Sequence, residues 1–412
     1  MSQYRIRSCT LSALTSFSLA LITSHACAWQ NPAGSVALRP AIKAPAIKAP
    51  GRLIQAAEIQ EHVEWLASPE RKGRANRDAY PVGDYVKTRF EKAGLKPLFE
   101  NSSFFQSIPG PPREDGTKTR YGRNVAGWIP GSDPKLRNEY IIISAHFDHL
   151  GSRGETFFPG ADDNASGTSM LLEAARAFAE SGRPARRSVV FIGFDLEEYL
   201  LWGSRWFAAH PPWPIENVKL FITADMIGRS LGDLPINTVF VMGSEHGIGL
   251  DETLAGIGTP RDLNIAPLGI DLIGTRSDYG PFRDRKIPFL FFCTGQHPDY
   301  HKTTDTPDKI DSGQIASIGD YVLKIVRHVA DADTTPVWTG EPQPRMAEVK
   351  ALHHIATLLQ KAEGFQELNT IQKYIVGQAE LKARQAIERG TLTTGERAGL
   401  IRTAQLLLLS VF

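Results

Sequence analysis

The feature that most limits how this chain can fold is an alternation between residues 124 and 330. Apolar runs rich in β-branched and aromatic residues are interleaved there with stretches of helical periodicity. The runs fall at 124–129, 140–144, 189–194, 220–224, 238–242 and 287–293, and the helical patterns at 166–179, 202–209 and 315–330. In the last pattern Ile318, Val322, Ile325 and Val329 recur at helical spacing, which marks one buried face. Runs that are apolar on successive residues are buried on both sides, and strands alternating with helices build a mostly parallel mixed sheet covered on both faces. The expected fold is a three-layer α/β/α sandwich. Two further helices precede it, one presenting Ile59, Val63 and Leu66, the other following Pro81 with Val82, Tyr85, Val86 and Phe90 inward. Sheets of this kind bind ligands beyond the carboxyl ends of their strands, so the residues just after 144, 194 and 224 are where a site should be sought.

The flanks have a different texture. Residues 1–28 carry Arg5 and Arg7, then a short apolar and small-residue stretch, then Ala26-Cys27-Ala28, the pattern of a cleaved secretory signal peptide. The stretch is shorter than a spanning helix needs, so the mature chain is expected to have no membrane span and to be secreted or periplasmic. Cleavage would remove two arginines from 46 basic residues set against 45 acidic ones, moving the formal charge from +1 to −1. Such a balance gives no electrostatic reason to bind nucleic acid or an anionic membrane. Cleavage would also leave Cys293 as the one cysteine, so no internal disulfide is expected. Residues 29–52 are rich in Pro and Ala, include a tandem Ala-Ile-Lys-Ala-Pro, and read as a linker. The main domain spans 53–335. Residues 345–412 form a helical C-terminal appendage, expected as helices at 346–362, 368–389 and 394–412 and expected to serve stability, pocket shape or assembly.

Within this frame the chemistry-bearing residues stand out by position. Glu197 and Glu198 follow a buried strand, where charges are costly unless they bind a cation or move protons. His146 and Asp148 follow another strand, two residues apart and so on the same side of an extended backbone, which lets Asp148 buttress the imidazole. Asp225 ends a third strand, and Asp163 and His301 lie on loops. Carboxylates and imidazoles in such numbers suit a two-metal site with one shared carboxylate, and zinc is the cation that favours this ligand set.

The motifs His-Phe-Asp-His-Leu-Gly, Gly-Ala-Asp-Asp-Asn-Ala-Ser-Gly, Phe-Asp-Leu-Glu-Glu, Asp-Met-Ile-Gly and Tyr-His-Lys-Thr-Thr-Asp-Thr-Pro-Asp resemble those of the di-zinc metallo-aminopeptidases. The resemblance covers roughly residues 56–312 and implies a secreted or periplasmic exopeptidase acting on peptides. It implies two zinc ions, with Asp163 bridging them and followed by a cis peptide bond. His146 and Asp225 then hold one ion, Glu198 and His301 the other, and Glu197 is the general base on a bridging water. Asp162 becomes a loop residue. Relatives usually carry glycine soon after the glutamate pair, whereas this chain has Tyr199-Leu200-Leu201-Trp202; the frequent Ser-Asp-His is Ser277-Asp278-Tyr279, which offers Tyr279 as a hydroxyl for the oxyanion. Competing readings are a glutaminyl cyclase, which uses one zinc on a similar fold, and a carboxypeptidase, for which Arg276, Arg283 or Arg285 would meet the substrate carboxylate. A receptor or adhesion module would have lost ligands, and a serine hydrolase would need a G-x-S-x-G elbow that is not present.

Overall fold

The computed structural model describes residues 53–112, 118–340 and 344–411, with side chains left undescribed at 76–77, 111–120 and 407–411. The expected signal peptide and linker lie outside the described residues. Nine strands form one mixed sheet. They are β1 (Lys96–Pro97), β2 (Phe105–Pro112), β3 (Lys118–Ile129), β4 (Tyr140–His146), β5 (Ser188–Phe194), β6 (Val218–Ala224), β7 (Thr238–Met242), β8 (Asn264–Leu268) and β9 (Phe289–Cys293). Their order is β1-β3-β5-β4-β6-β9-β7-β8, with β2 paired to β3. The block β5-β4-β6-β9 is parallel throughout, and antiparallel pairings flank it at β3 and β7. Hence β4, β5, β6 and β9 end on the same side of the sheet, and Glu197, Asp225 and Cys293 all emerge near His146.

Two of the strands that the apolar pattern did not announce, β2 and β8, contain prolines: Pro109 in one and Pro267 in the other. Both lie at the margin of the sheet, where a missing backbone N–H costs no ladder bond. The central strands are buried along their whole length, and alternate residues face two separate cores. On β4, Ile141 and Ile143 join a core with the helices Ala56–Leu66, Tyr80–Lys92, Gly167–Glu180 and Ser312–Asp331, while Tyr140 and Ile142 join the opposite one.

That opposite core is closed by the helices Met346–Lys361, Thr370–Arg389 and Thr394–Val411. Val349, Leu352 and Ile355 of the first, Val376 and Ala383 of the second, and Leu400 and Ile401 of the third share one apolar cluster with Ile142, Phe221 and Phe289 of the sheet. The third helix meets this core at Leu400 and Ile401, with Ala404 packed beside them. A polar anchor fixes this layer. Glu348, 1% exposed, accepts the backbone N–H of Gly269 at 2.8 Å and two bonds from the Arg397 guanidinium at 2.6 and 2.9 Å; Arg397 also grips both oxygens of Asp271. Glu348→Ala should leave the Gly269 N–H without its buried acceptor and Arg397 with Asp271 alone, at a cost of about 1–3 kcal/mol. Thermal unfolding checks this: a clearly lower Tm is expected with metal content unchanged, and an unchanged Tm would show that the anchor contributes little.

Candidate metal centre

At the carboxyl end of the parallel block the strands deliver a cluster of imidazoles and carboxylates. His146 ends β4; its Nε2 lies 3.3 Å from Asp225 Oδ1, 3.5 Å from Asp163 Oδ1 and 4.0 Å from Glu197 Oε2. The other oxygen of Asp163, Oδ2, lies 3.1 Å from His301 Nε2, which is in turn 3.5 Å from Glu198 Oε2. The Asp163 carboxylate thus has one oxygen toward each histidine. Two groups have ligand atoms close enough to share an ion, His146 with Glu197 and Asp225, and His149 with Asp163 and Glu198. The Asp163–Asn164 peptide is cis.

Burial and mutual charge shift several of these groups strongly. Burial pushes Glu198 up to about 7, with Asp148 and Asp225 adding to it against His146 and His301. Burial, then Glu198, raises Asp163, and burial drives Glu197 well above the ordinary carboxylate range. Burial pulls the His146 imidazole down, yet Glu197 and Asp225 outweigh it and hold it well above its usual value. Four carboxylates crowded into a low-dielectric pocket repel one another, and divalent cations offset that repulsion. The donor set of imidazole and carboxylate suits zinc.

The five ligands expected from sequence are brought together, and Glu197 stands beside them. Asp148 plays a broader part than buttressing His146. Its carboxylate accepts the backbone N–H groups of Glu197 at 3.0 Å and Glu198 at 3.3 Å, while the His146 Nδ1 is nearer to the Asp148 carbonyl, at 3.2 Å, than to its carboxylate, at 3.7 Å. Asp148 therefore positions the glutamate pair. Asp162, expected as a loop residue, is fully buried: its Oδ1 accepts the Gly228 N–H at 2.6 Å and its Oδ2 lies 3.3 Å from His297 Nε2. It ties the Asp163 loop to the turn after Asp225. Asp305 accepts the N–H groups of both Asp162 and Asp163, which joins the His301 loop to the same knot.

Tyr279 is corrected by the structure. Its hydroxyl donates to the Gly274 carbonyl and accepts from the Arg276 N–H, its ring stacks on Phe289, and it is fully buried, so it cannot serve an oxyanion. Tyr300 lines the cavity instead and stacks on His301 at 3.8 Å. Three other residues escaped the sequence reading. His149, completely buried, bonds Glu198 Oε1 at 2.8 Å through Nδ1 and leaves Oε2 on the His301 side. The fully buried Arg74 donates to the carbonyls of Leu66, Phe147, Pro159, Gly160 and Asp163, pinning two ligand loops from a segment upstream of the sheet. Gly160, at φ 59°, could not carry a side chain: a Cβ would run into the Asp163 carbonyl and the His149 ring.

The turn after the glutamates is built without glycine. Leu200 and Leu201 take φ values of 59° and 61°, closed by Leu201 N–H to Glu197 O at 2.8 Å. Leu196, Met226 and His301, adjacent to or within the cluster, are also left-handed, and such strain costs about 1–3 kcal/mol per residue where surrounding structure enforces it. The Tyr199 and Leu200 side chains do not line the cavity; Leu200 is 80% exposed. Of the three arginines considered for a carboxylate, Arg283 pairs with Asp284, Arg285 bonds the Pro281 carbonyl, and Arg276 lines the cavity.

Comparison with known proteins places these features. The sequence profile of Peptidase family M28 matches residues 124–326. Leupeptin-inactivating enzyme 1 of Streptomyces exfoliatus is 27% identical over 319 residues, covering 71% of this chain and 64% of that protein. The chain spans about a quarter to two thirds of the length of the curated relatives it matches. Among solved structures, the Legionella pneumophila LapA aminopeptidase superposes with a TM-score of 0.53 at 21% identity, covering 68% of this chain and 72% of that one. Porphyromonas gingivalis glutaminyl cyclase superposes with a TM-score of 0.52 at 19% identity, covering 67% and 99%. Both likenesses concern the fold.

Proposed function

The chain carries a domain of peptidase family M28 over residues 124–326, and on that premise we propose that it is an exported di-zinc aminopeptidase that removes N-terminal residues from peptides. The observation that carries this reading is the Asp163 carboxylate, one oxygen 3.5 Å from the His146 imidazole and the other 3.1 Å from that of His301. A carboxylate so divided suits a shared ligand, with His146 and Asp225 completing one metal position and Glu198 and His301 the other. Two zinc ions held there would polarise the scissile carbonyl and lower the pKa of water toward about 7.

The rest of the chemistry belongs to the chain. Glu197 lines the cavity and sits 4.0 Å from His146, and burial raises its carboxyl toward the range in which a general base works. It takes a proton from the attacking water and returns it to the leaving nitrogen. Asp148 holds the Glu197 and Glu198 backbones so that the two side chains diverge, one to the reaction and one to the metal. Burial, followed by the charge of Asp163, keeps the Tyr300 phenol protonated and able to donate to the carbonyl oxygen as charge develops on it.

A panel of peptides tests the assignment: free N-terminal residues, N-terminally blocked peptides with free carboxylates, and N-terminal Gln peptides, each with and without chelator. Release of N-terminal residues from free-amine peptides, abolished by chelator, is expected. Cyclisation of Gln without hydrolysis would transfer the chain to the cyclase reading, and cleavage of blocked peptides from the carboxyl end would assign Arg276 to the substrate carboxylate.

A further inference from the structure

The turn that follows the glutamate pair carries a concentrated apolar surface. Among the described residues nine large hydrophobic side chains are exposed, and three of them, Tyr199, Leu200 and Trp202, fall within four consecutive positions. Leu200 is the most exposed of the nine, and the Tyr199 ring meets that of Tyr121, on β3, edge to face at 5.9 Å. Fraying does not explain this exposure. The Leu201 N–H donates to the Glu197 carbonyl at 2.8 Å, the Trp202 N–H to that of Leu196 at 2.9 Å, and the Asn124 amide to that of Gly203 at 2.9 Å. The turn is held shut while two left-handed leucines, Leu200 and Leu201, keep the first of them in water. Backbone strain of this kind clusters at active sites and ligand clamps, and here it sits on the segment that carries Glu197 and Glu198. The wall of the metal-site cavity is completed elsewhere, by Leu352, Ile355 and Leu359 of the helix Met346–Lys361, so the displayed side chains lie outside it.

We propose that Tyr199, Leu200 and Trp202 form a docking surface for the part of a peptide substrate that follows the scissile bond, and that it selects an apolar side chain at the third or fourth residue. The inference rests on the aminopeptidase reading and extends it to the leaving chain. Continuity with the site identifies the occupant. Glu197 has to come within hydrogen-bond reach of the leaving nitrogen, which belongs to the second residue of the substrate. Consecutive Cα atoms are about 3.8 Å apart, so Leu200, three residues on, lies no more than about 11 Å from Glu197. An extended peptide advances about 3.3 Å per residue, so a chain leaving Glu197 toward the turn passes Leu200 within about three residues. Successive side chains of an extended chain point to opposite sides, so one of residues three and four faces the turn. An apolar side chain there covers Leu200 between two amphipathic rings, whereas a polar one gains nothing over water. A second copy of the chain is a poorer occupant: a stable interface takes about 20–30 residues a side, and this patch supplies three with Tyr121 beside them.

The test uses the full zinc-loaded chain and substrates that share an N-terminal leucine: Leu-Gly-Gly-Gly-Gly, Leu-Gly-Phe-Gly-Gly, Leu-Gly-Gly-Phe-Gly, and leucine p-nitroanilide, which has no residue beyond the bond cleaved. Wild type should favour one of the Phe peptides over the all-glycine peptide by about tenfold or more in kcat/KM, chiefly through KM. Leu200→Asn removes the apolar side chain and keeps the backbone, because asparagine tolerates the left-handed region. Trp202→Gln removes a ring beside it. Each variant should bring the Phe preference to within about twofold, with anilide turnover, zinc content and Tm close to those of the wild type. Absence of the preference in the wild type, its persistence in both variants, or equal loss on anilide and peptides would overturn the proposal. If the preference persists while the oligomeric mass or the binding to phosphatidylcholine vesicles changes, the patch serves a second copy or a membrane, and the proposal falls. Calorimetric binding of N-acetyl-Gly-Phe-Gly-Gly and N-acetyl-Gly-Gly-Gly-Gly to the wild type and to Leu200→Asn reads the surface without turnover. Tighter binding of the Phe peptide that is lost in Leu200→Asn, with no N-terminal cleavage of any substrate, would refute the aminopeptidase reading and leave the surface standing; equal binding would refute the surface.

Discussion

Glu197→Gln is expected to cut kcat by about 10² or more while zinc content, Tm and substrate KM stay close to those of the wild type. Glutamine keeps the shape of the side chain and its place in the cavity and loses only the capacity to accept a proton. Nothing in the local fold depends on the missing charge, because the backbone N–H of Glu197 is held by Asp148 regardless of the side chain. The carboxyl is nearly buried and raised well above its ordinary range by burial, and its attraction to His146, 4.0 Å away, is opposed by repulsion from Asp225, so losing the charge gives up the first and relieves the second. Single-turnover kinetics with metal analysis on the same sample check the assignment. A variant that loses metal together with activity would make Glu197 a ligand, as its proximity to His146 and Asp225 also permits on geometry alone.

Glu198→Gln should act in the opposite way, weakening metal binding first and losing activity as a consequence. The Glu198 carboxylate spans His149 on one oxygen, at 2.8 Å, and faces His301 with the other, at 3.5 Å. Substitution of partners that merely orient a ligand costs about 10–100-fold in metal affinity, and loss of a charged ligand should cost at least that. Titration with a competing chelator gives the number, and excess zinc should restore part of the activity to this variant and none to Glu197→Gln. Full activity in Glu198→Gln at limiting zinc would reverse the division of roles within the pair.

The layers and the cluster of imidazoles and carboxylates were legible in the sequence because each depends on short-range pattern. Continuous apolar runs identified β4, β5, β6, β7 and β9, and the clustered side chains end or follow three of these strands or sit on loops with recognisable motifs. What escaped depends on partners distant in sequence. Arg74 looks like any loop arginine until it meets five carbonyls from three other segments, and Asp162 looks like a turn residue until Gly228 and His297 close on it. Tyr279 and Tyr300 are indistinguishable as residue types; only the packing of the first against Phe289 and of the second against His301 separates them. The marginal strands β2 and β8 were hidden by prolines that a margin tolerates. The C-terminal helices were legible as helices, but their apolar faces carry no sign of which surface they cover, and so their place in the cavity wall came from the structure.

The central claim is that two zinc ions share Asp163, and metal analysis of the purified wild-type chain beside Glu197→Gln and Glu198→Gln tests it most directly. Close to two zinc per chain in the wild type and in Glu197→Gln, with a marked deficit in Glu198→Gln, is the predicted result. One zinc or fewer per chain in a fully active wild-type protein would contradict it.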